Sequence, residues 1–425
     1  MTYEQAIEYI HGIYWRGSKL GLERITELLC LMGNPQDKLS FVHVAGTNGK
    51  GSVCAMLSCV LAAEGYKTGL YISPYIERFN ERIQINNLPI ADKSLCEVTE
   101  YVRAFAETMA DLPTEFEIVC AIAFEYFMRE GCDIVVLEVG LGGRLDATNV
   151  IKSPLAAVIT PISYDHTEYL GETLTEIASE KCGIIKKGTA VVCCEQTPEA
   201  AEVVAQRCRE IGAGLVCAEP SQIETISDTI DGQRFNYKEF GGIEITLPGE
   251  HQRENAALVL ETVSILRDRG TAISPDAVKT GMADAKWPAR FEVLSRNPIV
   301  VLDGAHNPGG ARAAALAAAR YLGGMDITVV LGVLRDKDYD TMLREIDRAA
   351  ARYIATEPGS PRALKTSALA KELGRLGKPV SEQADIALAL AQAVETAKRE
   401  RGAVLAVGSL YMAGEVRKCF APEHK

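Results

Sequence analysis

The sequence predicts an α/β protein in two units, the first built on a mostly parallel sheet and the second a smaller α/β unit. Three observations carry this reading. Apolar runs of strand length alternate with amphipathic segments of helix length. Some of these runs are continuous, such as DIVVLEVG at 133–140, as strands covered on both faces should be. The alternation changes texture and restarts after WPARFEVLSRNP at 287–298, which carries two prolines and a charge shift. A chain of 425 residues also exceeds one ordinary core.

The elements follow in order. MTYEQAIEYIHGIYWRG reads as an amphipathic helix and has none of the features of a secretion signal. FVHVA at 41–45 is a short strand. SVCAMLSCVLAAEG, Ser52 to Gly65, has helical apolar spacing and a glycine stop. KTGLYIS is a strand, and EFEIVCAIAFEYFMR at 115–129 is a buried helix. AAVITPIS at 156–163 and TAVVCC at 189–194 are further strands. From about residue 220, ETISDTIDGQRFNYKEFGGIEITLPG alternates polar and apolar residues around Gly-rich turns, an antiparallel excursion. ENAALVLETVSILRDRG is a helix, and the boundary then falls within 287–298, giving units of 1–293 and 294–425. PIVVLDGA, an Ala-rich helix, ITVVLGV, a helix, RYIATEP, a helix and AVLAVGS complete the second unit.

Composition narrows the class. Hydrophobic residues at 47% and charged residues at 24% describe a soluble globular protein. A net charge of -12 opposes nucleic acid as the main partner, whereas ATP needs only a local positive site. No stretch reaches the roughly 18 apolar residues of a membrane span. The twelve cysteines are scattered, with no CxxC, so reduced and mostly buried thiols in a cytoplasmic protein are expected.

HVAGTNGKGS at 43–52 departs from the common phosphate loop G-x-x-x-x-G-K-[ST]. Only Thr47 and Asn48 separate Gly46 from Gly49, and Gly51 stands where the magnesium-binding hydroxyl should follow Lys50. A plain glycine turn is the alternative. Strand, GKGS and helix agree, however, on a site where backbone amides, the helix N-terminus and Lys50 hold an anion. Gly46, Thr47, Asn48, Gly49, Lys50, Gly51 and Ser52 are therefore ATP candidates.

Other polar residues fall at strand ends of the same sheet, where ligands bind. Ser73 ends KTGLYIS and could equally be a turn or cap. Glu138 ends DIVVLE, the place for a magnesium ligand near ATP. Asp165-His166 follow AAVITPIS, and Lys181 lies 15 residues after His166 in TLTEIASEKCGII. Asp303 and His306 sit in LDGAHNPGGA, just past an apolar strand, and Arg290 in the interdomain stretch. SPYIERFNERI alone reads as a solvated loop, and TEFE at 114–117 as a helix cap followed by acids.

GTNGKGS, SPYIERFNERI, LEVGLGGRLDATN, the DH pair, SEKCGI, HQRENA and LDGAHNPGG, in this order, resemble folylpolyglutamate synthase and the bifunctional dihydrofolate synthase of bacteria, within the Mur-ligase superfamily. The resemblance covers nearly the whole chain. It implies a P-loop ATPase domain, a Rossmann-like C-terminal domain, and a site between them that joins L-glutamate to folate or dihydropteroate through an acyl phosphate. It implies ATP and two magnesium ions, held by Ser73, Glu138 and His166, with potassium a further candidate cation. Lys50, His166, Lys181 and His306 would be catalytic, Lys181 as a carbamate, with Asn255, Arg290 and Asp303 on ATP. Thr114, Glu115, Phe116, Glu117, Leu145, Asp146 and Ala147 would contact the pterin, Arg82 lies in a loop closing over folate, and Ser409 would meet the glutamate. A monomer without nucleic-acid or membrane partners is expected. DKD at 336–338 resembles another signature and receives no role.

Three alternatives remain. A related ligase of a cell-wall precursor is disfavoured by SPYIERFNERI and LGGRLDATN. A P-loop regulatory GTPase or transport ATPase is the second, and a GTPase should carry N-K-x-D, which is absent. A binding-only module would release no phosphate in response to an amino acid.

Overall fold

The computed structural model describes residues 1–13 and 19–420. The first sheet contains β1 (Phe41–Ala45), β2 (Thr68–Tyr71), β3 (Ile83–Ile85), β4 (Leu88–Pro89), β5 (Ile134–Glu138), β6 (Ala156–Ile159), β7 (Ala190–Cys193) and β8 (Gly214–Cys217). Its order is β4-β3-β2-β5-β1-β6-β7-β8. The strands from β2 to β8 in that order are parallel, and β3 and β4 add an antiparallel edge. β9 (Ile223–Thr229), β10 (Gly232–Tyr237) and β11 (Phe240–Ile245) form the expected antiparallel excursion. The second sheet contains β12 (Glu292–Arg296), β13 (Ile299–Leu302), β14 (Ile327–Leu331), β15 (Arg352–Ala355), β16 (Val380–Glu382) and β17 (Ala403–Val407), in the order β12-β13-β17-β14-β15-β16.

The helices of the first unit are α1 (Tyr3–His11), α2 (Glu23–Leu31), α3 (Lys50–Glu64), α4 (Asp92–Ala106), α5 (Glu115–Glu130), α6 (Thr167–Leu170), α7 (Leu174–Lys181), α8 (Pro198–Ile211), α9 (Glu250–Asp268) and α10 (Pro275–Asp284). Those of the second are α11 (Pro308–Tyr321), α12 (Tyr339–Asp347), α13 (Thr366–Gly374), α14 (Ile386–Glu400) and α15 (Leu410–Lys418). Side chains of β5 alternate between two cores. Val136 joins the layer of α3, α9 and α10, while Val135 and Leu137 face α1, α2, α4 and α5. That double cover is why the strand reads as an unbroken apolar run.

Several expectations need correction. α1 stops at His11, where Gly12 caps it, and residues 14–17 of the expected helix lie outside the described residues. α3 starts at Lys50, two residues before Ser52, so the lysine belongs to the helix start. SPYIERFNERI is not a solvated loop, because Phe79, Asn80 and Arg82 are buried. Glu81 accepts the amides of Ile76 and Arg78 at 2.8 Å each, and Asn80 donates to the Ile90 carbonyl at 2.6 Å, which folds the segment inward. β12 pairs antiparallel with β13, from Glu292 opposite Leu302, so the chain enters the second sheet at Glu292.

Candidate active site

The phosphate loop leaves β1 and turns into α3. Gly46 and Gly49 have φ of 151° and 85°, values that side chains other than glycine's rarely accept. The space is also taken, since a Cβ would lie 1.8 Å from Thr160 Oγ1 at Gly46 and 2.4 Å from Asn255 Oδ1 at Gly49. The amides of Thr47 and Asn48 donate to the Pro161 carbonyl at 2.8 and 3.3 Å, which pins the loop to the turn after β6. The first helical bond of α3 runs from Val53 to the Gly49 carbonyl, which leaves the amides of its first turn to face an anion. The hydroxyl missing after Lys50 has a steric reason: a Cβ at Gly51 would stand 2.6 Å from the indole of Trp287. Ser52 is buried behind the loop.

Two ammonium groups meet at this loop. Lys50 Nζ donates to the carbonyls of Gly46 and Thr47 at 3.2 Å each. Lys181, buried at the end of α7, donates to the same Gly46 carbonyl at 2.9 Å. Burial and the neighbouring Lys50 charge lower the Lys181 amine to about 7. Lys181 is therefore no solvated helix charge.

Sheet order distributes the remaining groups around β1. Glu138 closes β5 on one side, buried, with Oε2 accepting the Ser73 amide at 3.0 Å. Burial raises its carboxyl against the pull of Lys50, the Ser73 amide, Arg290 and Arg82. His166 follows β6 on the other side, with its ring half-exposed and Nε2 3.8 Å from Asp165 Oδ1. Burial lowers His166 to about 4; Asp165 opposes this, and Lys337, Lys50 and Lys181 add to it.

The second unit reaches into this cluster. Asn307 donates through Nδ2 to Asn48 Oδ1 and to Asp165 Oδ2, 3.0 Å each, while its Oδ1 caps α11 at the Gly310 amide. Lys337 Nζ lies 2.6 Å from Asp165 Oδ1 and 3.3 Å from His166 Nε2. His306 Nδ1 meets the Gly304 carbonyl at 2.9 Å, which makes Nδ1 the protonated nitrogen and leaves Nε2 as the acceptor. Burial, with Lys337, lowers His306 to about 4. Asp303 accepts the amides of Phe291 at 2.9 Å and Ala305 at 2.8 Å, and burial raises it against the Arg290 charge. Asn255 is buried against Gly49, with Nδ2 on Gln252 at 3.1 Å.

A second group lies under α5. Thr114 and Glu117 form the expected capping box, and Glu117 also holds Arg24 at 3.1 Å. Phe116 and Phe79 flank the Arg82 guanidinium at 5.6 and 5.7 Å, and Glu115 lies 3.9 Å from it. Among the described residues Arg82 Nε has no hydrogen-bond partner, and the buried Tyr71 hydroxyl lies beside the Arg82 charge. Asp146 is buried and accepts the amides of Leu141 at 2.8 Å and Thr148 at 3.0 Å, fixing the turn that carries Leu145 and Ala147. Ser409 is buried and caps α15 through the Tyr411 amide at 3.2 Å. Ser409 follows β17, in the core of the second unit. Lys337, Asn307 and Trp287 were missed from the sequence. DKD and the Asn-Pro before a helix were the available signals for the first two.

A family model of the Mur ligase middle domain matches residues 44–263, and one of the Mur ligase glutamate ligase domain matches 289–410. Folylpolyglutamate synthase of Lacticaseibacillus casei is 38% identical over 98% of each chain. The dihydrofolate synthase/folylpolyglutamate synthase of Bacillus subtilis is 36% identical over 98% of this chain and 99% of that one. The chain belongs to the folylpolyglutamate synthase family of Mur ligases. The fold agrees: Mycobacterium tuberculosis folylpolyglutamate synthase complexed with ADP superposes with a TM-score of 0.91 at 31% identity, covering all of both chains. An FPGS–AMPPCP–folate complex gives a TM-score of 0.85 at 34% identity, covering 99% of this chain and 100% of that one. Members of this family are ATP-dependent ligases, and the relatives favour the folate branch over a cell-wall ligase.

The family implies magnesium, and the donors fit. Among the described residues no three His, Cys, Asp or Glu side chains form a closed cage. A phosphate-bound magnesium needs only one or two protein ligands, the rest being water and phosphate oxygens. A buried carboxylate held at one oxygen by the Ser73 amide suits that pattern. Among the described residues no helix is long and apolar enough to cross a membrane.

Proposed function

We propose that the protein joins L-glutamate to reduced folate, and to dihydropteroate, at the cleft between its two units, 1–293 and 294–425. The observation that carries this is Asn307 of the second unit bonding both Asn48 of the phosphate loop and Asp165 beside it. Groups from both units thus meet where phosphoryl transfer and amide formation must follow one another.

Lys50 and the first-turn amides of α3 hold the phosphate chain and its developing charge. Magnesium, held by Ser73 and Glu138 on one side and His166 on the other, would neutralise phosphate charge. Arg290 and Asn255 flank the nucleotide. The folate carboxylate takes the γ-phosphoryl group, and the glutamate amine then displaces phosphate from the acyl carbon. His306 Nε2, kept neutral by burial, accepts the proton that the attacking amine gives up. Contact between the units excludes water from the acyl phosphate. Lys181, neutral above its lowered value of about 7, adds CO2 through its amine nitrogen to form a carbamate and releases one proton, which places an anion beside the loop. Arg82, Phe116 and Glu115 receive the pterin side of the acceptor. A cytoplasmic monomer is the proposed working form.

Glutamate-dependent phosphate release from ATP, with dihydropteroate and tetrahydrofolate compared, tests the reading. Release with at least one acceptor is expected, and Lys50→Ala and His166→Ala should abolish it while remaining folded. Near-wild-type turnover in either variant, or release only with a peptidoglycan precursor, would overturn it.

A further inference from the structure

Helix α11 touches the first unit at both ends. Its N-cap, Asn307, reaches Asn48 and Asp165, and His306 precedes it. Its last residue, Tyr321, accepts the Gly249 amide at 2.8 Å and donates to Asp228 Oδ1. The adjacent Arg320 Nε lies 2.7 Å from Asp228 Oδ2. The 14 residues between span about 21 Å at helical rise. One rigid rod therefore carries a remote contact and the active-site contact.

The remote contact is built into the first unit. Asp228 lies on β9 with its side chain 3% exposed, and it also holds Arg253 Nη1 at 2.7 Å. Arg253 sits on α9, two residues before Asn255, and Gly249 begins that helix. Gln233 on β10 fixes the same corner by donating to the carbonyls of Leu247 at 2.7 Å and Gly249 at 2.9 Å. The antiparallel excursion thus forms a socket for the far end of α11. The phosphoryl and amide chemistry uses none of these groups.

We propose that Tyr321, Arg320 and Asp228 are positioning residues for the ligation step. They anchor the far end of α11 and so set where His306 and Asn307 stand against the phosphate loop. Without the far anchor α11 can slide and tilt as a rod, which displaces His306 and Asn307 relative to a phosphate loop that stays in place. Acyl phosphate still forms, but capture by glutamate loses ground to water.

This inference rests on the ligase reading, and the test separates the two. Tyr321→Phe and Arg320→Met are compared with wild type for amide formed per phosphate released, KM for glutamate, and Tm. Wild type should give a ratio near one. Each variant should lower the ratio and raise the glutamate KM by about 2- to 10-fold, the scale of one lost hydrogen bond. A merely structural role would lower Tm and leave the ratio unchanged. Absence of glutamate-dependent release in wild type would defeat the ligase reading itself. A coupled wild type with unchanged ratio and KM in both variants would defeat the positioning role alone. Arg320 is largely exposed, so its variant remains informative if Tyr321→Phe fails to fold.

Discussion

Gly51 lies against the indole of Trp287, with room for no Cβ between them. The loop therefore lacks its usual hydroxyl because an aromatic side chain from the interdomain stretch occupies that place. Gly51→Ala should cost about 1–3 kcal/mol through overpacking. Trp287→Ala in the same chain should recover much of that cost, since the two residues touch. Denaturant unfolding of the two single variants and the double variant measures the coupling. Additive effects would show that the indole does not exclude the hydroxyl.

The strands around this loop were legible because β1, β5, β6 and β7 are buried on both faces and spell continuous apolar runs. β8 was not, since half-exposed Leu215 and Val216 give a weak signal. α4, α8 and α15 also passed unread, being mixed in polarity and flanked by stronger elements. Glu138, Ser73 and the Asp165-His166 pair stood out in the sequence by their strand ends, whereas Lys181, Arg82 and 114–117 drew notice only through the family resemblance. Asn307 and Lys337 were not legible, because their contacts depend on how the second unit docks, and Trp287 was not, because its contact with Gly51 joins segments far apart in the chain; local spacing encodes neither. SPYIERFNERI misled for the opposite reason: Glu81 and Asn80 bond the backbone, and Asn80 and Arg82 are buried in spite of their type, while Glu77 and Arg78 stay exposed.

Lys181 makes stability depend on alkaline pH. Its amine falls from 10.5 unfolded to about 7 folded, mainly through burial. Below pH 7 both states are protonated and the fold bears a buried ammonium. Between these values the unfolded chain binds more protons, so stability rises with pH. Lys181→Met should remove that rise in pH-dependent urea unfolding. Wild type exposed to 13C-labelled CO2 near pH 8 should give a carbamate resonance that the variant lacks. A resonance retained in Lys181→Met would assign the carbamate elsewhere.

The Asp165–Lys337 pair sets an acid limit. Burial raises the Asp165 carboxyl, but the His166 and Lys337 charges and the hydrogen bonds from Lys337 and Asn307 outweigh it, leaving it well below the usual carboxylate range. Its stabilisation is full above its unfolded value of about 3.9 and is lost as pH falls through the depressed folded value. Lys337→Met removes one partner of a buried carboxylate and should cost about 1–3 kcal/mol near neutral pH. The acid unfolding midpoint should move to higher pH. An unchanged midpoint would mean that Asp165 and Lys337 do not hold the two units together.

Arg82 should behave in the reverse manner, as a residue whose removal harms binding more than folding. It is 7% exposed, its Nε has no hydrogen-bond partner among the described residues, and Glu115 is 3.9 Å away. An unpartnered buried donor costs about 1–3 kcal/mol, so its loss relieves a penalty as well as removing a contact. Phe79 and Phe116 pack on the guanidinium and can pack on a thioether of similar length. Arg82→Met should therefore leave Tm unchanged or raised. The KM for the folate acceptor should rise at least about 10-fold, the scale of a charged hydrogen bond to substrate, with the KM for ATP unaffected. Thermal unfolding and steady-state kinetics decide the matter together. A lowered Tm with an unchanged acceptor KM would make Arg82 a structural partner of Glu115, and would move the acceptor site away from α5.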